Sequence, residues 1–128
     1  MLVRGIRGAT TVPANTRDEI LQAADELLRE IVDANDVQVD LVASIIFTTT
    51  PDLNAEFPAV AARLAGWTDV ALECLHEMNV PGALPRCLRL LMHVNSDRTQ
   101  NEITHVYLRD AGVLRPEFAA DQVTEATP

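Results

Sequence analysis

Arg89 interrupts "CLRLLMHV" (87–94), a run whose other members would nearly all gain from burial. A guanidinium there is costly unless an anion meets it, because taking an unpaired charge out of water is strongly unfavourable. The anion could be a ligand or a protein carboxylate, and Glu77, at the end of "VALECLHE", is a partner by type. The plainer alternatives are a strand position that faces solvent and a solvated loop carboxylate. Arg7 stands between Gly5 and Gly8. Glycine lets a backbone approach a ligand and arginine grips carboxylates in a bidentate fork, although glycines at strand ends also serve turn geometry alone. Tyr107, the only tyrosine, could offer a hydroxyl to an anion or simply close the core. Arg63 and Arg115, taken singly, read as surface arginines.

Other chemistries are poorly supplied. All ten basic residues are arginine, which removes Schiff-base and P-loop lysines from consideration. Neither G-x-S-x-G nor G-x-G-x-x-G occurs. Cys74 and Cys87 are too far apart for a C-x-x-C pair and too few for a zinc framework, so they read as free thiols. Cys74 and His76 share a strand face, but no third ligand follows at a familiar metal spacing. The formal net charge of −9 disfavours nucleic acid and anionic lipid as partners. What remains is an arginine-rich, carboxylate-containing site suited to an acidic small molecule that is bound and shaped rather than attacked.

These residues must be positioned by local elements. Thr16 and Glu19 form a capping box, and apolar residues from Ile20 to Val32 recur at helical spacing, predicting an amphipathic helix over 16–34. "LVASIIFTTT" (41–50) reads as a buried strand, and "FPAVAARLAGW" (57–67) as a short helix with Pro58 in its first turn and Gly66 at its end. Strands are also expected at 68–77, 86–96 and 103–110, and over "LVRGIR" (2–7). The count is five strands and two helices, an α+β chain with one mixed sheet packed against one long and one short helix. Residues 1–118 are expected to form a single domain, and 119–128, with little to bury, a disordered tail. The absence of a long apolar run or a leader pattern suggests a soluble cytoplasmic protein.

Four ordered motifs, "RGIRGATTV", "TPDLNAEFPAVAAR", "CLHEMNVPGALPRCLRLLMHVN" and "ITHVYLRDAGVLRP", together resemble the AroH-class chorismate mutases across residues 3–117. The resemblance implies rearrangement of chorismate to prephenate in phenylalanine and tyrosine biosynthesis, with no cofactor or metal. It also implies a homotrimer with a pseudo-α/β-barrel core and active sites between subunits. Carried over by motif, Arg7 would hold a substrate carboxylate with Tyr107 assisting. Arg89 would stand beside the ether oxygen, and Glu77 would bond the ring hydroxyl with Cys74 nearby. Phe57 and Arg63 would enter from across the interface, and Leu114 and Arg115 would belong to a segment that covers the site. Val60 stands where some members carry lysine, which removes one outer charge.

The implied chemistry accounts for the inventory of residues. A Claisen rearrangement is intramolecular and needs no nucleophile or base. It needs a reactive conformer and a cation where charge separates. Two other readings compete: a RidA-like imine deaminase, also a small trimer that uses arginine to hold carboxylates, and a non-catalytic sensor of an aromatic-pathway metabolite. Retention of both Arg89 and Glu77 favours the mutase.

Overall fold

The computed structural model describes residues 1–114. Arg115 and the 119–128 tail lie outside the described residues. In chain order the elements are β1 (Leu2–Thr11), α1 (Arg17–Asn35), β2 (Val42–Thr49), α2 (Ala59–Leu64), β3 (Ala71–His76), β4 (Cys87–Ser96) and β5 (Val106–Tyr107). Short 3-10 turns occupy Val39–Leu41, Gln100–Glu102 and Arg109–Leu114.

The strands make one sheet in the order β3-β2-β4-β1-β5. β4 is antiparallel to both its neighbours, whereas the β2–β3 and β1–β5 pairs are parallel. Hence β1, β2, β3 and β5 all run the same way and end along one edge of the sheet. The α+β class with a five-stranded mixed sheet is therefore as the sequence indicated.

Helix α1 forms because its start is capped and one of its faces is apolar. The Thr16 hydroxyl accepts the Glu19 N–H at 3.2 Å, and Asp18 and Glu19 favour the positive end of the helix dipole. Ile20, Ala23, Ala24, Leu27, Leu28 and Ile31 are buried. They join one core cluster with Ile6, Ile45, Phe47, Leu88, Leu90 and Met92 of the sheet. The helix lies so close over Gly8 that a β-carbon there would meet Ile31 Cδ1 at 2.6 Å and Leu27 Cδ1 at 3.0 Å.

Strand alternation puts the remaining residues on the other face. Gly5, Arg7 and Ala9 of β1 stand in register with His93, Leu91 and Arg89 of β4. Among the described residues no α-helix covers this face. Only Ala111 of the 109–114 turn, with Leu84 and Leu114, packs at its Ala9 end.

Two boundaries differ from those the sequence suggested. β1 runs on to Thr11, because Gly8, Ala9 and Thr10 keep pairing with Leu90, Arg89 and Leu88. β5 shrinks from an expected 103–110 to two residues. Asn35, at the end of α1, accepts the Thr104 N–H at 2.8 Å through Oδ1 and donates from Nδ2 to the Thr104 carbonyl at 2.9 Å, so both backbone groups of Thr104 are taken from strand pairing. Beyond Leu108, Arg109 adopts a left-handed φ of 53° and the turn begins.

Candidate active site

One row of in-register residues crosses all five strands: Tyr107, Ala9, Arg89, Thr48 and Leu75. With strands spaced about 4.8 Å apart, Tyr107 and Arg89 rise from backbones roughly 10 Å apart, with only the Ala9 methyl between them. That spacing makes a trough. Ala9 is fully buried and Tyr107 is 5% exposed, and Leu84 and Leu114 pack against this pair. Arg7 occupies the position diagonal to Arg89 on the same face. Its backbone N–H donates to His105 Nδ1 at 2.9 Å, which fixes the strand from which the guanidinium leaves.

Arg89 is met by a carboxylate. Its Nε lies 2.7 Å from Glu77 Oε2, with the side chains 26% and 15% exposed respectively. Glu77 reaches this place because its N–H extends the β2–β3 pairing by one bond, to Thr49 O at 2.9 Å. The other carboxylate oxygen, Oε1, is buried and accepts no hydrogen bond among the described residues. A half-buried ion pair with a spare acceptor can receive a donor from a ligand while the guanidinium faces an oxygen of the same molecule.

Cys87 belongs to this group, although its residue type gave no reason to place it there. It precedes Arg89 by two positions, hence on the same face, and is fully buried. Burial pushes its thiol up to about 11; the Arg89 charge opposes that rise and the Glu77 charge adds to it. The i, i+2 spacing to Arg89 was the signal available in the sequence.

Phe57, Arg63 and Cys74 lie elsewhere. Cys74 stands in register with Phe47 and so on the helix side of the sheet, the face opposite Arg89 and the Glu77 carboxylate it pairs with. With Phe57, Pro58, Leu53 and His76 it lines a cavity of about 340 Å³. The Cys74 thiol is raised by burial, while the Ala59 backbone N–H and the Arg63 charge pull the other way. Phe57 is 64% exposed, a large apolar surface for one side chain. One subunit thus carries two separate groups. Arg7, Glu77, Arg89, Tyr107 and Leu114 occupy the open face, and Phe57, Arg63 and Cys74 cluster around β3 and α2.

The fold is an α+β chain whose sheet carries Arg7, and Arg89 with its Glu77 partner, on one open face. Residues 3–118 match the family model described as chorismate mutase type I, and the chain belongs to that family. Among its relatives is the chorismate mutase AroH of Bacillus subtilis (strain 168), 45% identical over 126 residues, covering 98% of this chain and 99% of the relative. The chorismate mutase AroH of Thermus thermophilus is 47% identical over 122 residues, covering 94% of this chain and all of the relative (100%). The solved structure of a chorismate mutase from Clostridium thermocellum, Cth-682, is 52% identical and superposes with a TM-score of 0.84 over 85% of this chain and 97% of that one.

Proposed function

We propose that the protein is a chorismate mutase that rearranges chorismate to prephenate in aromatic amino acid biosynthesis, and that it acts as a cytoplasmic homotrimer. The observation that carries this reading is the Arg89–Glu77 pair, 2.7 Å apart, with the second Glu77 oxygen buried and unfilled. An unfilled buried acceptor is unfavourable until a donor arrives, which suits the ring hydroxyl of chorismate.

The reaction breaks the ether C–O bond ahead of full C–C bond formation, so negative charge grows on the enolpyruvyl oxygen and positive charge on the ring. Arg89 meets the oxygen and Glu77 the ring. Since the Arg89 interaction strengthens as charge develops, it lowers the barrier and does not merely tighten binding. Arg7, on the strand that floors the trough, and Tyr107, on the next strand, hold the side-chain carboxylate and keep the enolpyruvyl arm over the ring. No proton changes hands and no cofactor is required.

The two separate groups support the trimeric reading. A heterologous, closed assembly sets the β3 edge of one subunit against the open face of the next, which brings Phe57, Arg63 and Cys74 to the Arg7–Arg89 trough. Leu75, Met78 and Val80, which are 49%, 84% and 53% exposed, give that edge apolar surface to bury. Leu114, packed against the Ala9–Tyr107 cluster, then lies at the edge of the substrate site.

Purified protein is incubated with chorismate, the product is identified, and the particle mass is measured by light scattering, with Arg89→Ala alongside. Expected are prephenate, a trimer mass for both proteins, and a loss of turnover of at least roughly 10²–10³-fold in the variant. Chorismate left unchanged, or a variant with near-parental turnover, refutes the reading of the site; a monomer refutes the assembly.

A further inference from the structure

The end of β2 and the start of β4 are joined by a side-chain relay that the proposed mechanism leaves without a role. Asp52 accepts the Thr50 hydroxyl at 2.5 Å through Oδ1 and the Arg86 backbone N–H at 2.9 Å through Oδ2. The Thr50 hydroxyl oxygen accepts in turn the Cys87 N–H at 3.0 Å, and the Thr50 N–H donates to the Cys87 carbonyl at 3.0 Å. Each donor in this chain is polarised by the acceptor beyond it, so the links reinforce one another.

The relay holds an unusual backbone in place. Arg86 has φ 45°, a left-handed conformation that non-glycine residues seldom adopt without support. Its Nε donates to Val12 O at 2.9 Å and its carbonyl accepts the Val12 N–H at 2.9 Å, so the same residue also pins the end of β1. Burial pushes the Asp52 carboxyl up, but the hydrogen bonds from Thr50, from Arg86 and from its own backbone N–H, with the Arg86 charge, outweigh it and hold the carboxyl below its ordinary value. Asp52 is therefore the ionised acceptor the relay needs.

The position of this clamp in the sheet gives it a consequence for the site. Arg89 follows Cys87 by two residues on the same face, and Glu77 is fixed through Thr49 O, one residue before Thr50. The two partners of the ion pair thus hang one from the end of β2 and one from the start of β4, the two stretches that Asp52 ties together.

We propose that Asp52 is a positioning residue, which through Thr50 and the 86–87 peptide sets Arg89 against Glu77 at the geometry the transition state requires. This rests on the chorismate mutase reading of the site. Because Arg89 acts on charge that appears only in the transition state, loosening the clamp lowers kcat and leaves KM nearly unchanged, whereas general destabilisation lowers the amount of active protein.

The test measures kcat and KM for chorismate in Asp52→Asn and in Thr50→Val, near-isosteric changes that break different links of the same relay, with thermal melts to establish the folded fraction. Expected is a fall in kcat of roughly 10–10²-fold, the scale of a small misplacement of catalytic groups, with KM within about twofold. In an Arg89→Ala background, Asp52→Asn then adds less than about twofold, since it acts through Arg89. Folded variants with parental kcat, or the same loss in both backgrounds, overturn the positioning role. If Asp52→Asn does not fold, Thr50→Val decides by the same criteria. A parent that leaves chorismate unchanged refutes the functional reading itself, whereas an active parent matched by its variants refutes only the role of Asp52.

Discussion

Replacing Gly8 with alanine tests the closeness of helix and sheet beneath the site. The added methyl would sit 2.6 Å from Ile31 Cδ1, 3.0 Å from Leu27 Cδ1 and 3.3 Å from Val106 O. Carbon atoms in contact prefer about 3.5–4.0 Å, so the Ile31 tip must retreat by about 1 Å. The carbonyl of Val106 cannot retreat so easily, because β5 is anchored to β1 at Gly8 and Ala9. Overpacking of this kind costs about 1–3 kcal/mol. For a chain of this size that lowers Tm by roughly 3–6 °C per kcal/mol, read at one fixed protein concentration because association also raises Tm. The structure further identifies the atom responsible. Ile31→Val alone removes Cδ1 and costs about 0.5–1.5 kcal/mol. Combined with Gly8→Ala it relieves the closest clash, so the double variant is less destabilised than the sum, by about 0.5 kcal/mol or more. Urea unfolding of the four proteins gives the cycle. A Gly8→Ala protein as stable as the parent, or strictly additive losses, would refute this account of the helix–sheet contact.

Two further changes probe Cys87, on the trough face, and Asn35, at the end of α1. Cys87 keeps its proton to about 11 when folded, whereas an exposed thiol loses it near 9; stability is therefore full below pH 9 and falls as the pH rises toward 11. In Cys87→Ala that alkaline loss becomes shallower, and an unchanged slope in denaturant midpoints between pH 8.5 and 10.5 would contradict the buried neutral thiol. Asn35 is 6% exposed and bonds both the N–H and the carbonyl of Thr104, so Asn35→Ala strands two backbone groups and costs about 1–3 kcal/mol. The same change frees the segment leading to Tyr107, and chorismate turnover falls with it; parental stability would show that water replaces Asn35 at no cost.

The sequence announced those elements whose periodicity is local. The capped helix was expected over 16–34 and spans Arg17–Asn35, and the buried strand expected over 41–50 spans Val42–Thr49. Arg89 was suspected from the cost of a charge among apolar neighbours and Glu77 as its partner by type, and they meet at 2.7 Å. What stayed hidden depends on tertiary partners. The loss of most of β5 arises because Asn35, 69 positions away in the chain, captures Thr104. Cys87 left one mark, its i, i+2 spacing to Arg89, whereas the tie from Asp52 runs through a left-handed turn at Arg86 that neither composition nor spacing reveals. The group of Phe57, Arg63 and Cys74 was assigned by resemblance. Within one chain it stands apart from Arg7 and Arg89, because strand alternation turns Cys74 to the helix side.

The strand order also dictates when the molecule can take shape during synthesis. Residues 2–11 leave the ribosome first, yet their partners are residues 87–96 and 106–107. Until β4 emerges, β1 has no neighbour, and the β2–β3 pair is the only piece of sheet the nascent chain can form. The apolar face of α1 meanwhile has little to rest on, and contacts this distant in sequence make for slow closure. Closure of the sheet is therefore held back until β4 has been made, and a chaperone that shields α1 would act on the interval between the first strand and the fourth.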